Sequence, residues 1–231
     1  MTVATTAGLV REVATAHGAA SLAAADHIAV SFSSGGLAFT SKGQPEALTR
    51  VEAHLSPARQ HVTLTGHTPK PWSVRFADSE QLKSGLAGLH SGSRRLRWQP
   101  EDVGTFAAAA IWNYLTLPLL LDQAEVLQRT PKAGGRAHAE GLRRLRIKLP
   151  PTIAGHGSVQ TVYIGPDGLI RRHDYTATAF GVWARAAQVI TDYECFDGVP
   201  IGTTRRVTPR VGRPLTGPTL VWIRIHSARL A

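Results

Sequence analysis

The sequence predicts an α+β protein: a strongly curved antiparallel sheet, an incomplete or closed β-barrel, with a buried or lid helix. Two observations carry that expectation. Val103 to Leu121, VGTFAAAAIWNYLTLPLLL, is a run of nineteen residues without a charge, bounded by Asp102 and Asp122. It meets the length test for a membrane span, yet it contains Asn113, Thr116 and Pro118 and is flanked by acids rather than by Lys or Arg. A helix buried within the protein accounts for it better. The second observation is that much of the remaining chain alternates apolar and polar residues in short runs that Pro and Gly interrupt about every ten residues, the pattern of an antiparallel meander. A helix laid into the concave side of such a sheet can enclose an apolar cavity.

Each element follows in order. Residues 8 to 25, LVREVATAHGAASLAAAD, are rich in Ala and read as an N-terminal helix with Gly18 as its weak point. From Ile28 the pattern turns to strands, and Gly35-Gly36 between β-formers predicts a tight hairpin. TRVEAHL, HVTLTGH and WSVRF follow, separated by Pro57, Pro69 and Pro71. Gly85 to Gly92 reads as a loop or short helix. Pro100 opens the uncharged helix, because Pro lacks an N–H that would go unpaired at the first turn, and Glu101 and Asp102 suit the positive end of the helix. Pro118 is expected to kink or end it. Residues 130 to 141, TPKAGGRAHAEG, read as a mobile loop hinged at Gly134-Gly135. LRRLRIKLP is a strand, and SVQTVYIGPDGLIRRHDYTA supplies two more around the turn Gly165-Pro166-Asp167-Gly168, where Pro presets φ and Gly accepts a positive one. AQVITDYECF, IGTTRRVTP and TLVWIRIHSARL complete a sheet of at least eight strands.

A chain of 231 residues with 43% hydrophobic and 18% charged content is that of an ordinary globular protein, and residues 1–231 are expected to form a single domain. Arg11, Glu12 and His17 interrupt any apolar leader, so a cytoplasmic location is expected. The single Cys195 excludes an internal disulfide and a thiolate metal cluster. The net charge of +10 is carried mainly by Arg, in clusters at Arg94, Arg95 and Arg97, at Arg143, Arg144 and Arg146, and at Arg205, Arg206 and Arg210. Such charge attracts phosphate non-specifically, but no DNA-binding motif accompanies it, so no specific nucleic-acid partner is expected.

The segments WNYLTLP, GLIRRHDYTA and TTRRVTPR resemble a family of uncharacterised bacterial proteins over about residues 100 to 228. The order of strands is also similar to that of the LolA-like lipoprotein carriers. That resemblance implies an incomplete barrel wrapped around helices, a fold that holds acyl chains.

Alternation along Leu169 to Tyr175 places Arg171, His173 and Tyr175 on one face and Ile170, Arg172 and Asp174 on the other. His173 and Asp174 therefore do not face each other, and no GxSxG elbow exists, which removes a Ser-His-Asp triad. The ten His residues form no HExxH or comparable pair, and GGRAHAEG lacks nucleotide-binding spacing, so neither metal nor cofactor is expected. Asp174, Tyr175 and Tyr163 are the candidate catalytic groups, because burial raises a carboxyl pKa and a tyrosine supplies a directed hydrogen bond. Asp174, beside several bases, also suits a plain ion pair. Trp112, Asn113, Tyr114, His173, Trp183, Tyr193 and Trp222 are the candidate ligand-binding residues. The preferred expectation is a cofactor-independent tailoring enzyme of secondary metabolism, a cyclase, isomerase or lyase acting on a hydrophobic polyketide or terpenoid. The alternative, implied by the resemblance, is a non-catalytic cytosolic carrier of a lipid or other apolar ligand.

Overall fold

The computed structural model describes residues 6–130, 141–210 and 217–231. The predicted loop at 130–141, with Gly134, Gly135 and His138, lies almost wholly outside the described residues. The N-terminal helix is two helices, α1 (Thr6–Ala16) and α2 (Ala19–Ala24), because Gly18 takes a left-handed conformation, φ 60°, between them.

Eleven strands follow, β1 (Ile28–Gly35), β2 (Val51–Leu55), β3 (Val62–Gly66), β4 (Trp72–Phe76), β5 (Glu125–Thr130), β6 (Arg143–Lys148), β7 (Val159–Ile164), β8 (Ile170–Thr176), β9 (Arg185–Phe196), β10 (Val199–Pro209) and β11 (Val221–Leu230). They form one antiparallel sheet in the order β4-β3-β2-β1-β11-β10-β9-β8-β7-β6-β5. The sheet is curved and does not close: β4 and β5 stand at its two ends, so the barrel is the incomplete one of the two expected forms. The meander β2-β3-β4 and the β7-β8 hairpin match the sequence reading. In the hairpin, Gly168 has φ 81° and its N–H donates to Gly165 O at 3.1 Å. Strand β5 was not expected; a bulge between Val126 and Gln128 blurs its alternation.

The Gly35-Gly36 hairpin is absent. Instead β1 continues to Gly35, Gly36 turns the chain at φ 130°, and a short helix α3 (Leu37–Thr40) follows. These glycines serve close approach: the Trp222 ring lies on Gly35, and a Cβ at Gly36 would sit 2.4 Å from Leu220 O. The Gly85 region begins inside helix α4 (Ser79–Gly88), which Asp78 caps by accepting from Gln81 N–H at 2.9 Å.

The uncharged run forms α5 (Pro100–Gln123). Gln99 and Asp102 make its capping box, the Asp102 carboxylate accepting from Gln99 N–H at 2.8 Å. Pro118 does not end the helix, which continues to Gln123. One lost backbone hydrogen bond is outweighed by the burial of Leu117, Leu120 and Leu121. By length and composition α5 could cross a membrane, but 94% of its most apolar window is buried inside the protein. It packs against β3 and β4 toward one end of the sheet and reaches β8 through Tyr114 and Tyr175.

Candidate functional site

Between α5, α3 and the concave side of β1, β10 and β11 lies a cavity of about 370 Å³. The curvature of the sheet prevents the helix from filling the space between them, and alanines at 107 and 110 leave it open where larger residues would not. Phe32, Phe39, Leu48, Phe106, Ile111, Val207 and Ile223 make its wall almost entirely hydrocarbon. Ser34, one of its few polar residues, is turned away, its hydroxyl donating to Trp222 O at 2.6 Å. Leu37 and Trp183 line the mouth and remain largely in solvent, Trp183 with 77% of its surface exposed.

The polar end of the cavity is the pair Tyr114 and Tyr175, whose hydroxyls are 2.7 Å apart. His156 stacks on Tyr175 with ring centroids 3.8 Å apart, and its Nε2 lies 3.2 Å from the Tyr114 hydroxyl. Burial raises the Tyr114 phenol to about 12 and the Tyr175 phenol well above its ordinary value. Burial lowers His156 to about 3, and it lowers His173 well below the usual histidine range. At neutral pH this end therefore holds intact phenols and neutral imidazoles. His173 Nε2 meets Gln160 Oε1 at 2.7 Å, while its Nδ1 has no partner.

Asp174 and Tyr163 lie elsewhere. Alternation along β8 sends Tyr175 and His173 to the concave side and Arg172 and Asp174 to the convex side, where Tyr163 of β7 stands opposite Arg172. Asp174 is 1% exposed and accepts from Arg172 Nε at 2.6 Å, Arg172 Nη2 at 2.7 Å and Tyr163 Oη at 3.2 Å. Arg210 Nε adds a second cation at 3.2 Å. Two guanidinium groups and one phenol thus occupy its carboxylate oxygens on the face away from the cavity.

Among the expected ligand-binding residues, Tyr114 and Trp183 line the cavity, as does Tyr175. Trp112 points the other way and donates to Ser56 O and Arg59 O at 2.8 and 3.0 Å. Asn113 donates to Ala109 O and Ala154 O, joining α5 to the segment before β7. Tyr193 borders a small crevice beside Tyr114 and donates to Ile170 O at 2.6 Å. Trp222 covers Gly35 on the convex face. The sequence reading missed Phe106, Ala110 and Val207 on the cavity wall, and it counted Arg205 only in a basic cluster with Arg206 and Arg210. The signal for Arg205 was present: Val199, Ile201 and Val207 share its parity on β10 and are buried with it.

These positions correct the expectation of a cyclase, isomerase or lyase. Asp174 and Tyr163 are separated from the cavity by the sheet, and Tyr175 is a phenol made less acidic by burial, so the three proposed proton carriers do not act on one bound molecule. No protein-family model matches the sequence, and no curated protein matches it. Among solved structures the chain is similar to a DUF1329 family protein from Desulfovibrio piger, with 15% identity and a TM-score of 0.44, covering 95% of this chain and 92% of that one. It is similar to a domain described as an outer membrane lipoprotein-sorting protein from Vibrio parahaemolyticus, with 9% identity, a TM-score of 0.44 and coverage of 95% and 91%. A LolA superfamily protein from Nitrosomonas europaea is similar at 8% identity and a TM-score of 0.43, over 95% of this chain and 93% of that one.

Proposed function

We propose that the protein is a non-catalytic carrier of one small hydrophobic ligand, a lipid or another apolar molecule, held between α5 and the concave sheet. The observation that carries this reading is the cavity itself: about 370 Å³ of space with a hydrocarbon wall and a mouth at Leu37 and Trp183. Apolar surface removed from water contributes roughly 25 cal/mol per Å², so such a wall binds by burial and asks for no reaction. The volume is near the lower end of the roughly 300–1,000 Å³ found for small-molecule sites, which suits a single chain or a small ring system better than a lipid with several acyl chains.

The test is titration with the fluorescent apolar probe N-phenyl-1-naphthylamine, followed by recovery of the probe and mass spectrometry. Saturable binding at one site, loss of that binding in Ala110→Trp, and recovery of the probe unchanged support the carrier. Absence of saturable binding, or equal binding by Ala110→Trp with a melting temperature near that of the parent, would overturn it.

A further inference from the structure

One buried charge has no part in holding a purely apolar ligand. Arg205 on β10 is 5% exposed. Its Nε donates to Gly202 O and its Nη1 to Gln188 Oε1, both at 3.1 Å, and its guanidinium lies over the Tyr114 ring, 5.2 Å from the centroid. The groups that act on its charge are Tyr193, Tyr114 and Tyr175, and among the described residues it has no ion pair with a carboxylate. Asp174 is on the opposite face and already held by Arg172 and Arg210. A buried cation without a counter-charge is costly to keep. Beside it, Gln188 is fully buried, its Oε1 accepting from Arg205 and its side-chain amide acting on the Tyr114 phenol. Tyr114 connects this cluster to the cavity, since it lines both the cavity and the crevice of about 20 Å³ that Arg205 borders.

Resting on the carrier reading, we infer that the ligand is a carboxylic acid: a hydrocarbon body in the cavity with its carboxylate at the inner end, accepting from the Tyr114 and Tyr175 hydroxyls and neutralised by Arg205. The two phenols, now bonded to each other, separate so that each donates to a carboxylate oxygen, and no covalent bond changes. One guanidinium matches one monoanion, whereas a phosphate monoester brings about −1.5 to −2 charges into a site with a single cation.

Calorimetric titration of the whole protein at pH above neutrality, with dodecanoic acid, dodecan-1-ol and dodecyl phosphate as probes, tests this. The expected result is that the acid binds about tenfold or more tightly than the alcohol, the scale of a hydrogen bond to a charged group. That preference persists at high salt, because attraction to the exposed arginines is screened and a buried contact is not. Arg205→Met and Tyr175→Phe abolish the preference, and Arg224→Gln on the convex face keeps it. Should Arg205→Met fail to fold, the comparison of acid with alcohol at high salt in the unaltered protein still decides. Equal binding of acid and alcohol, a preference that vanishes with salt, or tighter binding of the phosphate overturns the inference while leaving the carrier standing. Binding of none of the three probes removes the carrier reading and the inference together.

Discussion

Asp174 sits where both faces of a strand are buried, since Arg172, His173, Asp174 and Tyr175 are all hidden from solvent. Alternation correctly separates Asp174 from His173, but it does not tell which face looks into the cavity when neither looks into water. Asp174→Asn leaves Arg172 buried without its counter-charge, and the expected loss of unfolding free energy is on the order of 3 kcal/mol. Urea denaturation measures it. Probe affinity at the cavity is unchanged in the same variant, and a loss of affinity with little change in stability would contradict the placement of Asp174 on the far face. A second expectation concerns His17 and His173. His17 Nε2 accepts from Ile170 N–H at 3.1 Å, a bond that only the neutral ring can accept, and burial lowers its pKa to about 4. Burial likewise holds His173 neutral. Below the unfolded histidine value of about 6.5 the unfolded chain takes up protons that the folded protein refuses. Stability is therefore full at neutral pH and falls as pH drops below about 6.5, by up to about 1.4 kcal/mol per pH unit for each ring. For His17 the fall levels off near its folded value of about 4. A series of urea midpoints between neutral and mildly acidic pH checks the slope; a flat profile would show that these rings are charged or exposed.

Among the elements, α5 was the most legible, because nineteen uncharged residues admit few fates other than burial. Its length was less so. Pro118 reads as a kink or a stop, and only tertiary burial of the last turn explains why the helix passes it. Gly35-Gly36 misled for a related reason: the pair has the composition of a turn, but its glycines make room for Trp222 and the Leu220 carbonyl, partners almost two hundred residues away. The same close approach recurs where α5 meets β3 and β4. Trp72 lies over Gly66 and Gly104, its Nε1 donating to Ala47 O at 3.1 Å, and a Cβ at Gly104 would fall 2.5 Å from the ring. Gly104→Ala is expected to destabilise the protein by about 1–3 kcal/mol through overpacking, less the roughly 1 kcal/mol that alanine gains over glycine in a helix. A thermal melt gives the sign, and a stabilised variant would mean that Trp72 can move aside.

For the molecule as a whole, the curved antiparallel sheet and its enclosed helix were readable from periodicity, and the order of strands across the seam was not. β1 pairs with β11 through eight registered positions from Ile28↔Leu230 to Gly35↔Trp222, and nothing in a local pattern names a partner so far along the chain. That seam makes the last strand a central one. Deleting residues 221–231 exposes facing edges of β1 and β10 and removes Val221 and Ile223 from the cavity wall. The shortened chain is expected to lose cooperative urea unfolding and all probe binding. A cooperative transition with binding retained would show that the two halves of the sheet stand without their seam.

The same seam sets a time for assembly. A ribosome releases β1 on the order of ten seconds or more before β11, at roughly 5–20 residues per second, and Phe32 on the first strand shares its chamber with Ile223 on the last. The chamber therefore does not exist on the nascent chain until β11 has joined β1 and β10.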